Sequence, residues 1–141
     1  MSYVVDASVV VATLVEETFS ADASRIVGTG VPLHAPNLIA TELGNAIWKL
    51  FRRGLLSRAD VDVTVHGFRA LGVVMHSRND LLERAIDIAT AHDRTMYDSM
   101  YLALADDLDL QLITADRKLH NAIATISLAG RILWIENMRA A

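Results

Sequence analysis

Four carboxylates stand where chemistry could be done: Asp6, Glu42, Asp98 and Asp116. Asp6 closes the apolar run Tyr3-Val4-Val5, and Asp116 follows Leu112-Ile113-Thr114-Ala115. A short apolar run reads as a buried strand. In an α/β domain, the carboxyl ends of parallel strands open onto the crevice where ligands bind. Glu42 falls early in a long helical stretch, and Asp98 lies at the start of another, in Met96-Tyr97-Asp98-Ser99. Carboxylates gathered in a dry cleft repel, which raises their pKa values and costs stability. Hard divalent cations reverse that cost, and Mg²⁺ or Mn²⁺ prefers oxygen ligands with several waters retained. Such a site lowers the pKa of a bound water and stabilises both oxygens of an in-line phosphoryl displacement. Hydrolysis of a phosphodiester is its natural use.

Each acid also has a plainer reading. Asp6 and Asp116 could cap the helices that follow them, and Asp98 sits three after Thr95, where a capping box would put it. Glu42 aligns with Asn45, Lys49 and Arg53 and could belong to a solvated helix face. It nevertheless borders the apolar stripe of Ile39, Leu43, Ala46, Ile47 and Leu50. Asp98 shares a face with Leu102 and Ala105, so its carboxylate leans toward the core with no basic partner in view. Two of the four acids end strands and could share one rim of a sheet.

Other chemistries fit less well. The chain has no cysteine, which excludes disulfides, thiolate metal sites and cysteine nucleophiles. His34, His66, His76, His92 and His120 show no HxxxH or HExxH spacing and read as surface or boundary residues. A phosphoryl-accepting domain would want paired acids near the first strand, or Asp-x-Asp. Here Asp6 stands alone and position 8 is Ser. With 141 residues one domain over 1–141 is expected. No apolar run of about 18 residues and no basic leader is present, so a cytoplasmic protein outside the membrane is expected. The net charge of −4 argues against a broad electrostatic grip on nucleic acid but not against a local one.

The supporting elements follow in order. Helices are predicted from Ala7 to about Leu14, Ser20 to Val27, Pro36-Asn37 to about Arg53 with Asn37 as cap, and Ser57 to about Ala70. Further helices are predicted from an Asn79 cap through His92, from Thr95 to near Leu108, and from Asp116 to about Ile126. Strands are expected at 3–5, 31–35, 72–76, 111–114 and 132–135. Strands alternating with helices predict a mainly parallel sheet covered on both faces, an α/β sandwich.

The four stretches VVDASV, TELGNAIWK, TMYDSMYLALA and LITADRKL, in that order, resemble the PIN domain and, more closely, VapC-type toxins of bacterial toxin–antitoxin pairs. The resemblance runs from Ser2 to about Ile135. It implies a PIN-like three-layer α/β/α sandwich and a Mg²⁺- or Mn²⁺-dependent ribonuclease, with Asp6, Glu42, Asp98 and Asp116 as catalytic and metal-binding acids. It also implies supporting roles for Ser8, Asn45 and Thr114, a homodimer, and a cognate antitoxin that inserts a segment near the acidic pocket. Where some relatives carry a further acid, this chain reads Arg117-Lys118-Leu119. Lys49, Arg52, Arg53 and Arg58 form a local basic group at the far end of the Glu42 helix, with Glu42 to Arg53 spanning roughly 16 Å at 1.5 Å per residue. Together with Arg117 and Lys118 they are candidates for RNA phosphates, or are ordinary solvated charge. Trp48 and Phe51 read as core or interface packing, with base stacking as the alternative.

Overall fold

The computed structural model describes residues 1–138; the last three positions of the expected domain lie outside them. Its centre is β1 (Tyr3–Val5), buried along its whole length. On one side β1 pairs with β2 (Leu33–Pro36), which pairs with β3 (Val74–His76). On the other it pairs with β4 (Gln111–Thr114), which pairs with β5 (Ile132–Trp134). The order is β3-β2-β1-β4-β5 and every pairing is parallel, so the mainly parallel expectation holds without an antiparallel exception among the described strands. Val4 and Val5 face Leu112 and Ile113 across the ladder, and all four are fully buried. Such unbroken apolar strands belong to a sheet covered on both faces.

Among the described residues seven helices provide the cover and make the three-layer α/β/α sandwich. They are α1 (Ala7–Leu14), α2 (Ser20–Gly28), α3 (Leu38–Arg52), α4 (Arg58–Leu71), α5 (Leu82–His92), α6 (Met96–Asp107) and α7 (Arg117–Ala124). Helix α6 is the most deeply set: Ser99 and the run Tyr101 to Ala105 are buried, and it packs against β1, β2 and β4. Its start is fixed by Thr95, whose hydroxyl accepts the Asp98 N–H at 3.1 Å. The preceding helix ends at Asp93, held in the left-handed region at φ 52°. Helix α4 starts with the expected Ser57–Asp60 capping box and stops at Gly72, whose φ of 67° favours glycine.

Two expected caps are not made. Asn37 has helical backbone angles and no capping hydrogen bond. Its N–H instead donates to the His76 carbonyl at 2.9 Å, extending the sheet by one bond past β3. Asn79 opens a separate 3₁₀ turn, Asn79–Leu81, so α5 begins only at Leu82 and has no side-chain cap. His34 and His76 form a pair, with ring nitrogens 2.9 Å apart, tying β2 to the edge strand β3. Trp48 and Phe51 are 50% and 43% exposed, which removes them from the core.

Capping and core packing of α6 are separable. Thr95→Ala is expected to cost about 1 kcal/mol of unfolding free energy. Leu102→Ala, at a fully buried site, should cost about 3 kcal/mol. Urea denaturation of the two variants checks the order.

Candidate active site

The chain leaves β1 toward β2 on one side, while β4 joins β1 from the other. That reversal makes the carboxyl ends of β1 and β4 the switch point at which an open α/β sheet forms its crevice. Asp6 and Asp116 flank it, each just beyond its strand.

Asp6 is 6% exposed and its carboxylate is fully engaged. Oδ1 accepts the Ser8 hydroxyl at 2.5 Å and the Val9 N–H at 3.3 Å, and Oδ2 accepts the Thr114 hydroxyl at 2.5 Å. The two hydroxyls in turn accept backbone N–H groups. Ser8 Oγ takes that of Ala115 and Thr114 Oγ1 takes that of Asp116, both at 3.0 Å. The small hydroxyl residues thus clamp the start of α1 to the end of β4. Asp116 caps α7 with Oδ1, which accepts the Lys118 and Leu119 N–H groups at 3.0 and 3.2 Å. Among the described residues nothing donates to its Oδ2. Capping and site-facing roles therefore coexist: Asp6 and Asp116 both cap, as the plainer reading has it, and both border the crevice.

The other two acids come from helices. Asp98 is brought in by the first turn of α6; no return bond to Thr95 completes a capping box. It does have a basic neighbour, contrary to expectation: Arg94 Nη1 lies 4.0 Å from its Oδ2. Glu42 enters from the first half of α3, and its Oε1 is buried without a hydrogen-bond partner. The Tyr101 hydroxyl is also buried and unpartnered. The two lie close enough for the neutral phenol to ease the Glu42 carboxylate and for the carboxylate charge to raise the phenol, although no hydrogen bond of good geometry is formed.

These groups form one electrostatic chain. Burial pushes the Asp6 carboxyl from its ordinary 3.8 up to about 6, against its hydrogen bonds to Ser8, Thr114 and Val9, with a further upward push from Asp116. Burial also raises Asp98, with Arg94 pulling down and Asp116 pushing up. Glu42 is raised by burial, eased by Tyr101 and raised again by Asp98. Tyr101 is held far above its usual range by burial and by the charges of Glu42 and Asp6.

Among the described residues no three Asp, Glu or His side chains are gathered for direct ligation of one ion. The physical cause lies in the bonds above, since three carboxylate oxygens are already taken by hydroxyls and helix N–H groups. What remains is an all-oxygen donor set with Glu42 Oε1 and Asp116 Oδ2 unengaged. That set suits a hard cation that keeps part of its water shell, through which the acids can be reached.

The remaining expected residues scatter. Asn45 is exposed on α3, one turn from Glu42, and makes no side-chain hydrogen bond among those described. Lys49, Arg52 and Arg53 line a hollow of about 270 Å³ at the far end of α3, where Arg52 lies over the Trp48 ring at 5.0 Å. Arg58 pairs with Asp62 at 2.7 Å. Arg117 turns away from the acids onto Trp134, 3.6 Å from the ring centroid, with Glu136 at 3.8 Å. Lys118 is exposed. A cavity of about 600 Å³ opens at the far ends of α1 and α3, between Leu14, Leu50, Arg53 and Leu56, and none of the four acids lines it. Sequence reasoning missed Tyr101 and Arg94, although i+3 and i−4 spacing from Asp98 places both beside it.

The profile of the PIN domain matches residues 3–124, and the chain belongs to the PIN-domain family. Within that family its likeness is to VapC-type members. It is 39% identical over 123 residues to ribonuclease VapC3 of Pyrobaculum aerophilum, covering 84% of this chain and 92% of that one. Two solved structures share the fold. PAE2754 from Pyrobaculum aerophilum has a TM-score of 0.73 at 26% identity over 96% of this chain and 85% of its own. A toxin–antitoxin complex from Klebsiella pneumoniae scores 0.67 at 14% identity, over 96% and 99%.

The raised Asp6 pKa has a direct consequence for stability. A carboxyl whose pKa is higher in the folded state stabilises the fold below the unfolded value, and that contribution is lost as pH rises through the folded value. Between 3.8 and about 6 the metal-free protein is expected to lose about 3 kcal/mol through this group. Asp6→Asn removes the titration. Chemical denaturation in EDTA should therefore show the variant gaining on the parent as pH goes from 4 to 7. A constant difference would mean that Asp6 titrates normally.

Proposed function

We propose that this protein is a divalent-metal-dependent endoribonuclease, the toxin component of a toxin–antitoxin pair, working as a single domain over 1–141. The observation that carries the reading is that Asp6, Glu42 and Asp98 are raised by burial, each with a further upward push from a neighbouring acid of the set, while Glu42 Oε1 is left without a hydrogen-bond partner. Membership of the PIN family and the ribonuclease name of the Pyrobaculum relative support it.

A bound Mg²⁺ or Mn²⁺ would supply a water of lowered pKa and positive charge against the phosphate. The residues have distinct parts. Ser8 and Thr114 hold Asp6 by both oxygens, so its charge is fixed in direction before substrate arrives. Asp116 keeps one oxygen on α7 and offers the other. Glu42 Oε1, buried and unpartnered, is the acceptor placed to orient a water and take its proton. Asp98 completes the negative wall, and the ion would be held by Asp6, Asp98 and Asp116, in part through the waters it keeps, with Glu42 reaching it through water. Asn45, one turn on from Glu42, would support the water shell. Lys49, Arg52, Arg53 and Lys118 would meet phosphates farther along the strand. Arg117 joins them only after leaving Trp134.

The partner is a cognate antitoxin, a reading supported by the name of the Klebsiella complex with which the fold is shared. An apolar hollow of about 270 Å³ between α3 and α4, lined by Ile47, Trp48, Phe51 and Val65, gives the antitoxin or a second copy in a homodimer a surface to cover. No helix among the described residues is long and apolar enough to cross a membrane, which accords with a cytoplasmic site of action. The alternative is a non-catalytic module that binds RNA or protein. It is favoured by the lack of a pre-assembled carboxylate triad, but a binder gains nothing from buried repulsion.

Two measurements decide between them. Mn²⁺ should bind the parent specifically and bind Asp6→Asn and Asp98→Asn far more weakly. Cleavage of RNA in Mg²⁺ or Mn²⁺ should fall at least about 100-fold in Asp6→Asn, Asp98→Asn and Glu42→Gln, the scale on which one preorganised charge-stabilising group acts. Metal-dependent cleavage that survives in Asp6→Asn would remove the assignment.

A further inference from the structure

Most arginines of this chain are committed to acids outside the crevice. Arg58, Arg78, Arg84 and Arg131 pair with Asp62, Asp80, Asp106 and Asp109, and Arg117 with Glu136. Among the described residues Arg94 alone has its partner, Asp98, among the four acids. Its position is fixed by the turn between α5 and α6. Asp93 is left-handed, the Arg94 N–H donates to the Ala89 carbonyl at 3.2 Å, and Nε donates to the Asp93 carbonyl at 3.0 Å. The side chain is only 25% exposed. At 4.0 Å, the Asp98 contact is too long for a hydrogen bond. The terminal N–H groups of a rigidly held guanidinium are therefore unspent at the rim of an acidic crevice. Such a fork matches the oxygens of a phosphate.

Three residues on, Tyr97 stands on the first turn of α6 next to Asp98 and is 63% exposed. Arg94, in the turn before the helix and 4.0 Å from Asp98, and Tyr97, adjacent to Asp98 in the chain, therefore both border the same carboxylate. An aromatic face beside a guanidinium is how single strands are held without regard to sequence, by base stacking and phosphate contact. Of the other described cations, Lys118 follows Asp116 on α7, away in sequence from Asp98, and the rest lie elsewhere. Lys49, Arg52 and Arg53 gather at the far end of α3, and Arg117 is folded onto Trp134.

We propose that Arg94 and Tyr97 form a strand-binding subsite at the acids, with Arg94 forked on the phosphate beside the scissile one and Tyr97 stacked on the adjoining base. The proposal rests on the ribonuclease reading for its ligand, single-stranded RNA. It gives Arg94 a role beyond neutralising Asp98, and the experiment must separate the two roles.

The Asp98→Asn protein serves as parent, because it removes the carboxylate that Arg94 faces and halts cleavage of the probe. Binding of a short fluorescein-labelled oligoribonucleotide is followed by anisotropy in EDTA, which leaves the salt slope to monovalent ions, over a range of salt. Adding Arg94→Ala should weaken binding about tenfold and make the plot of log affinity against log salt shallower by about one. Arg94→Lys should keep the slope while losing part of the affinity. Tyr97→Ala should weaken binding about tenfold with the slope unchanged, and Tyr97→Trp should restore it. Thermal melts, and the Lys and Trp variants, guard against loss of fold. If Arg94→Ala binds with the parent's affinity and slope, the subsite is wrong and Arg94 only screens Asp98. The ribonuclease reading fails separately, when the unsubstituted protein cuts no RNA in Mn²⁺; the subsite stands even then if the two substitutions still weaken binding as described.

Discussion

The structure hangs on the burial of one carboxylate between two central strands. Asp6 ends β1, and its N–H continues the ladder to the Ile113 carbonyl at 3.4 Å. Its oxygens then draw the Ser8 and Thr114 hydroxyls inward, and those hydroxyls hold the backbone of Ala115 and Asp116. The clamp thus ties the end of β4 to the start of α1 through side chains, beside the ladder bond. The same burial raises the proton affinity of the group. A residue that stabilises the fold by its hydrogen bonds thus destabilises it by its charge above the raised pKa, and a cation removes only the second effect.

Around that clamp charge is partitioned. Arg78 reaches Asp80 and Asp107, Arg84 reaches Asp106, and Arg131 joins Asp106 and Asp109. These pairs gather at the C-terminal end of α6. Exposed pairs of this kind contribute little energy singly, but together they orient the helix end that lies away from the crevice. The opposite end, which carries Asp98, is set by the Thr95 cap and the left-handed turn at Asp93. Positive charge is drawn toward one end of α6 and negative charge is left at the other.

The parts of the fold legible in the sequence are those governed by local rules. The bounds of α1 and β4 follow from an apolar run meeting a capping acid, and the Ser57–Asp60 box marks the start of α4 correctly. The places of the acids are legible in the same way, Asp6 and Asp116 just past strands, Asp98 in a first helical turn and Glu42 at the border of an apolar stripe. Where a distant partner decides, local rules fail. Asn37 looks like a cap, but the His76 carbonyl claims its N–H. Trp48 looks like core, but no element covers that side of α3. Arg117 follows an acid directly in sequence, yet the Trp134 ring, supplied by the last strand, pulls it away. Tyr101 sits in an apolar stretch that reads as packing, and only the fold shows its hydroxyl beside Glu42.

The hydrogen bond from Thr114 to Asp6 joins residues 108 apart. During synthesis β1 emerges from the ribosome first but has no neighbour on that side until β4 has followed. A nascent or truncated chain ending short of β4 therefore lacks the Thr114 hydroxyl, and one Asp6 oxygen has no donor, although β1, β2 and the α6 that packs on them are already made. The wiring of the sheet makes closure of the Asp6 clamp a late event.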